Sequence, residues 1–259
     1  MCATCGCSDD GGAVVTDPDH AHPHDHHDHD HAHPHDHGHE HDHDATRTVS
    51  LEAEVLAKND LLAARNRGWF EGRGIVALNL MSSPGSGKTT LLERTIRALS
   101  DERELAVVEG VQETLLDAER IRAAGARVVQ INTGSGCHLD AEMLARGLQT
   151  LDPAAGSVVL IENVGNLVCP ALFDLGETAR VVIMSVTEGA DKPRKYPHMF
   201  RSADLLLLNK VDLLPYVDFD VDACVADARQ LRPDLTVLPV SATKGDGLDD
   251  WYAWLRTRS

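Results

Sequence analysis

Seven short apolar runs constrain this chain more than any other feature: "IVALNLM", "LAVVE", "RVVQI", "SVVLI", "RVVIMS", "DLLLLN" and "LTVLPV", spread over residues 75–240 and separated by helix-patterned stretches. Strands that are almost continuously Val, Ile and Leu suit a sheet buried on both faces. The expected fold class is therefore α/β: a mostly parallel sheet with helices on each side. In such sheets ligands collect at the C-terminal ends of the strands, so the residues that directly follow each run carry the functional information.

The first run is followed by "SSPGSGKTTLLERTIRALS". Residues 82–89 fit the phosphate-loop pattern at Gly87, Lys88 and Thr89, with Ser82 where the first Gly usually stands. Gly85, Ser86 and Gly87 can turn successive backbone N–H groups toward phosphate oxygens, and a helix over 88–100 adds its positive end. Lys88 is expected to reach the β- and γ-phosphates, and the Thr89 hydroxyl to bind Mg²⁺, with Thr90 beside it. "LLLLNKVD" ends another strand with Asn209, Lys210 and Asp212. A carboxylate at Asp212 accepts both N1–H and N2–H of guanine, a donor pair adenine lacks, and the Lys210 stem can cover the base. "VSATKG" after the last run brings Ser241 and Ala242 toward guanine O6, with Lys244 close by. The ligand pair expected is GTP/GDP.

"SVVLIENVGN" supplies Glu162 and Gly165 at the spacing of a D-x-x-G segment, with Glu for Asp. Glu162 is expected to hold Mg²⁺ directly or through water, and Gly165 to sense the γ-phosphate. Asp117, in "TLLDAERI", lies where a first switch belongs, near the metal or the attacking water, although a helix-start Asp is equally ordinary. Lys88, Thr89, Glu162 and Asp117 are thus the candidate catalytic set.

A second chemistry is written in soft ligands. "MCATCGC" places Cys2, Cys5 and Cys7 within six residues; square-planar N/S ligation there would favour Ni²⁺ and a tetrahedral arrangement Zn²⁺. The tract that follows holds His20, His22, His24, His26, His27, His29, His31, His33, His35, His37, His39, His41 and His43, with "DHAHPHDH" occurring twice. Residues 1–46 carry these thirteen imidazoles and eleven acids but no Lys or Arg. Such a segment cannot bury enough apolar surface to order itself, and it is expected to be a disordered metal-binding tail preceding a GTPase domain over 47–259. Within that domain Cys137, His138 and Cys169 are candidate ligands, whereas Cys224 and His198 read as structural. Residues 47–68 read as an amphipathic helix, with Leu51, Val55 and Leu62 near one face and Gly68 as its stop.

Charge and hydropathy exclude other classes. The chain has 41 acids and 24 bases, and outside the tail 30 acids face 24 bases, so the body is acidic and unsuited to general nucleic-acid binding. No run approaches the ~20 apolar residues of a membrane span, and no signal-peptide pattern opens the chain, so a cytoplasmic location is expected.

Taken together, "SSPGSGKTT", "NTGSGCHLDAEM", "IENVGNLVCPALFDLGE", "TEGADKPRKYPHMF" and "LLNKVDLLPY" closely resemble the HypB family, the nickel-incorporation GTPases of [NiFe]-hydrogenase maturation, over roughly residues 50–258. The resemblance implies a phosphate-loop GTPase of low intrinsic turnover that dimerises with GTP and binds metal at the dimer interface. It also implies a maturation partner protein and delivery of nickel to the hydrogenase large subunit. By matching positions, Cys137, His138 and Cys169 become the GTPase-domain metal ligands, and Cys2, Cys5 and Cys7 the tight nickel site. One departure stands out: Glu109-Gly110-Val111 replaces the family's E-G-D, and Leu116 stands where Asn is common. Without the carboxylate at position 111, either Asp117 and Glu162 suffice for Mg²⁺ and water, or GTP is hydrolysed more slowly than in the relatives. A nickel or zinc storage protein with a vestigial GTPase body is the alternative. In either reading the His tract buffers metal.

Overall fold

The computed structural model of the chain describes residues 14–16, 44–111, 116–134 and 136–258. Its strands are β1 (Val14–Thr16), β2 (Val76–Ser82), β3 (Leu105–Val111), β4 (Arg127–Asn132), β5 (Val158–Glu162), β6 (Ala179–Ser185), β7 (Leu205–Asn209) and β8 (Thr236–Pro239). The last seven coincide with the seven apolar runs and lie parallel in the order β4-β3-β5-β2-β6-β7-β8. The strand that feeds the phosphate loop therefore sits mid-sheet, between β5 and β6. β1 was not foreseen: it pairs antiparallel with β4, Val14 opposite Asn132 and Thr16 opposite Gln130. The rest of 1–43 lies outside the described residues, including Cys2, Cys5, Cys7 and every His of the tract.

The helices are α1 (Asp44–Arg73), α2 (Lys88–Leu99), α3 (Leu116–Ala123), α4 (Ala141–Leu151), α5 (Lys192–Lys195), α6 (Pro197–Ser202), α7 (Val221–Leu231) and α8 (Leu248–Arg256). Strand parity decides which side each apolar residue serves. Leu78 and Leu80 of β2 join a core with Leu92 and Ile96 of α2, Ile121 of α3 and Trp251 of α8. Ala77, from the same strand, faces the opposite core, with Phe70 of α1 and Leu144 and Leu148 of α4. Met81 packs on that side too, in the portion closed by α6 and α7. Cys224 is fully buried there, as expected, and burial pushes its thiol up to about 11. His198 is instead exposed on α6, where Met199 and Phe200 take the buried positions.

The first helix corrects the sequence reading. It begins at Asp44, runs past Gly68 and ends at Arg73 before the left-handed Gly74 (φ 63°). Its buried stripe is Asn59, Ala63, Asn66 and Phe70, while Val55 and Leu61 are 48% and 76% exposed. The asparagines make the attachment. Asn59 Nδ2 donates to the Asp174 carbonyl at 2.8 Å and its Oδ1 accepts from Ala141 N at 2.9 Å. Asn66 Nδ2 donates to the carbonyls of Ala141 (2.8 Å) and Leu175 (3.1 Å). An apolar-periodicity argument misses a helix whose buried face is polar and paid back in hydrogen bonds.

Candidate functional site

The phosphate loop leaves β2 at Ser82 and enters α2 at Lys88. Gly87 (φ 99°) is held where a Cβ would lie 2.4 Å from Asn209 Nδ2, so both backbone and space require glycine. That contact reveals the role of Asn209: its Nδ2 donates to Ser86 O at 2.8 Å and its Oδ1 accepts from Ala242 N at 3.0 Å. One buried side chain thus clamps the phosphate loop to the loop after β8. Lys210, itself left-handed at φ 62°, reaches back to Gly85 O at 2.7 Å. Asp212 Oδ1 accepts from Ser241 Oγ at 2.6 Å, and Lys244 N donates to the same hydroxyl at 3.1 Å. Asn209, Lys210, Asp212, Ser241 and Ala242 are brought together as the sequence pattern expects.

A cleft of about 910 Å³ opens over this loop. Its lining includes Gly85 to Thr90, Glu109 to Val111, Asp117, Arg120, Glu162 to Gly165 and Lys210. Lys88 Nζ bonds Ser82 Oγ at 2.9 Å and stands 3.9 Å from Glu162 Oε1, which also accepts from Thr89 Oγ1 at 3.4 Å. Burial raises the Glu162 carboxyl above its ordinary range, and Lys88 opposes that rise. Its second oxygen, Oε2, is buried with no hydrogen-bond partner. A buried carboxylate oxygen left bare beside a hydroxyl and an ammonium suits a hard dication, so the residues fit Mg²⁺. Gly165 abuts the loop, with its Cβ position 3.2 Å from Pro84 Cγ. Asp117, in the first turn of α3, pairs with Arg120 at 3.3 Å; Arg120 also bonds Glu93 at 3.1 Å and reaches Thr90 Oγ1 at 3.4 Å.

On the other face of β5 lies the soft-ligand cluster. Cys137 Sγ is 2.9 Å from Cys169 Sγ and 3.7 Å from His138 Nδ1, and the three ligand atoms lie within 4.8 Å of one another. Among the described residues this is the one group of three or more such side chains close enough to hold an ion. Cys169 begins a short 3₁₀ turn shaped by Pro170, and His138 stacks on Phe173 with centroids 3.9 Å apart. Burial lowers the His138 pKa and Asp140 opposes it; the net direction favours the neutral imidazole, the form that ligates metal.

The two sites share one segment. Asn163, next to Glu162, accepts from Leu139 N at 3.1 Å and from Val164 N at 3.0 Å, and donates to Asn79 Oδ1 at 3.2 Å. Asn166 Nδ2 bonds Cys137 O at 3.4 Å. The turn carrying Cys137 and His138 is therefore tied to the Glu162–Gly165 segment that faces the phosphate loop.

Residues 76–239 match the CobW/HypB/UreG nucleotide-binding domain. The chain is 59% identical over 210 residues to the hydrogenase maturation factor HypB of Azotobacter vinelandii, covering 81% of this chain and 69% of that protein. The chain belongs to the HypB family. Two solved HypB structures share the fold. That from Archaeoglobus fulgidus is 42% identical with a TM-score of 0.73, covering 78% of this chain and 98% of that one. That from Helicobacter pylori, in complex with nickel, is 38% identical with a TM-score of 0.74, covering 78% and 94%.

The sequence motifs do not reveal the residues that join the two sites. Asn163 was only the x of a D-x-x-G pattern, and Glu109 and Arg120 sat in stretches read for other reasons. A polar residue inside an apolar run, as Glu109 is after "LAVV", was the available signal. Val111 closes β3 half-buried at the cleft, so the isopropyl group occupies the position where the family carboxylate is expected. Among the described residues no helix is long and apolar enough to cross a membrane.

Proposed function

We propose that the chain is a GTP-hydrolysing nickel metallochaperone that helps insert nickel into [NiFe]-hydrogenase. Residues 1–46 would act as a metal-binding tail, and 47–259 as a GTPase domain that dimerises with GTP and works with a maturation partner and the hydrogenase large subunit. The observation that carries this reading is the shared segment: Glu162 faces the phosphate loop while Asn163, one residue on, fixes the Cys137–His138 turn. Occupancy of one site then alters the geometry of the other.

In this reading Gly85–Gly87 and the start of α2 cradle the phosphates, and Lys88 neutralises charge developing on them. Asp212 selects guanine, with Ser241 fixing its carboxylate and Lys210 bridging to the phosphate loop. Thr89 and Glu162 would hold Mg²⁺, which supplies charge neutralisation at the β- and γ-phosphates. Asp117 and Arg120 stand at the mouth of the cleft, where Asp117 can orient water. Nickel is the cargo, and Cys137, His138 and Cys169 are its domain ligands, two thiols and an imidazole being suited to Ni²⁺ or Zn²⁺. Similarity to a HypB solved with nickel supports that choice.

The test is complementation. In a host lacking its own HypB, the chain restores [NiFe]-hydrogenase activity at low nickel, and the purified protein hydrolyses GTP. Lys88→Ala abolishes both. Full restoration by Lys88→Ala would instead support the storage alternative.

A further inference from the structure

β4, β3 and β5 set three polar residues side by side. Gln130 pairs with Glu109, and Glu109 pairs with Glu162. The parity that turns Val107 and Leu160 into the core under α2 and α3 turns Glu109 and Glu162 to that same face, two residues further along each strand. There the row emerges beneath the phosphate loop, and both carboxyls line the cleft with Lys88 and Thr89.

Neither acid is at the surface: Glu109 is 2% exposed and Glu162 6%. Gln130 Nε2 donates to Glu109 Oε2 at 2.9 Å, which fixes the carboxyl's orientation. Glu162 offers its unpartnered Oε2 to the same space. Two buried carboxyls have Lys88 as their near ammonium, with Arg120 acting more weakly on Glu162, and together they are short of positive charge. Accordingly burial first, then Glu162, pushes the Glu109 carboxyl up to about 8. A dication removes that deficit. Paired positions on adjacent strands are about 4.8 Å apart, so two Glu side chains rising from them can meet at one ion, directly or through one of its waters.

We propose that Glu109 is the second protein carboxylate at the Mg²⁺ position, doing in this chain what a carboxylate at Val111 would otherwise do. The inference rests on the GTPase reading above. Val111 lies on the same face, one step nearer the mouth of the cleft, and offers no oxygen ligand. Glu109 is already in line with Glu162, so the site keeps two acids without it.

The test titrates Mg²⁺, and separately Mn²⁺ followed by electron paramagnetic resonance, into the full-length chain with a fluorescent GDP. Glu109→Gln keeps the size and can still hydrogen-bond Gln130. It is expected to raise the Mg²⁺ concentration for half-maximal tightening of nucleotide by at least about tenfold, and to weaken Mn²⁺ similarly. Each titration is referred to that protein's own nucleotide affinity without metal. Adding Val111→Asp to Glu109→Gln recovers most of the loss. If Glu109→Gln tracks the wild type within twofold in both titrations, the inference is overturned while the GTPase reading stands. A double variant no better than Glu109→Gln removes the claim that Glu109 stands in for position 111. If the wild-type chain binds guanine nucleotide with no response to Mg²⁺, the underlying reading fails and takes the inference with it.

Discussion

Replacing Asn163 with alanine should separate the two sites while leaving each set of ligands in place. The side chain is buried, and its loss leaves Leu139 N and Asn79 Oδ1 without the partners they have at 3.1 and 3.2 Å. Val164 N loses its 3.0 Å acceptor as well, although that bond is local to the turn. Each buried group left unpaired costs about 1–3 kcal/mol, so two cost roughly 2–6 kcal/mol. In a domain of this size that corresponds to a fall in Tm of roughly 5–20 °C, measurable by scanning calorimetry on metal-free protein. The functional readout is the ratio of metal affinities with GDP and with a non-hydrolysable GTP analogue. Coupling of about 1–3 kcal/mol in the wild type should fall toward zero in Asn163→Ala. Asn166→Ala, which loses a longer and less buried contact to Cys137 O, should cost less in both assays. A folded Asn163→Ala protein with the full nucleotide dependence of metal affinity would refute the reasoning, since coupling would then travel by another route.

Three further outcomes are expected. Asp212→Asn, which replaces one acceptor oxygen by a donor while Ser241 still holds the other, should weaken GDP binding about 10–100-fold and shift preference toward xanthine nucleotides, measured by competition. The raised carboxyl of Glu109, near 8 in the fold against its ordinary 4.5, means the native state binds the extra proton between those values. Metal-free stability should therefore fall as pH rises from about 5 to about 8, by several kcal/mol at most, and Glu109→Gln should flatten that slope in denaturant titrations. Deleting residues 20–43 should lower nickel bound per chain, counted by equilibrium dialysis, and leave GTP hydrolysis and maturation at plentiful nickel unchanged; equal stoichiometry would count against a buffering tract.

Most of the fold could be read from the chain because a parallel sheet covered on both faces writes itself as uninterrupted Val, Ile and Leu. All seven of the anticipated runs are strands. The phosphate loop was equally legible, since Gly85, Gly87, Lys88 and Thr89 are fixed by backbone sign and ligand chemistry at short range. What stayed hidden was cross-chain. Asn59 and Asn66 bury a polar stripe of α1 by bonding to residues 75 to 115 positions away, which no periodicity shows. The pairing of Glu109 with Glu162 depends on strand order, and strand order is not written in any single strand. Val14–Thr16 joined β4 for the same reason: three residues in a polar tail carry no strand signature of their own. The cysteines 137 and 169 were flagged by type, but only the tertiary fold brings their sulfurs to 2.9 Å.

The central claim is that a nucleotide in the phosphate cradle and a metal on Cys137, His138 and Cys169 act on the same segment. Its most direct test is a nickel and zinc titration of the chain lacking residues 1–43, once with GDP and once with a non-hydrolysable GTP analogue. The account predicts affinities that differ between the two states by at least about fivefold, with binding lost in both on Cys137→Ser. Identical affinities in the two states, with Cys137→Ser still abolishing binding, would contradict it.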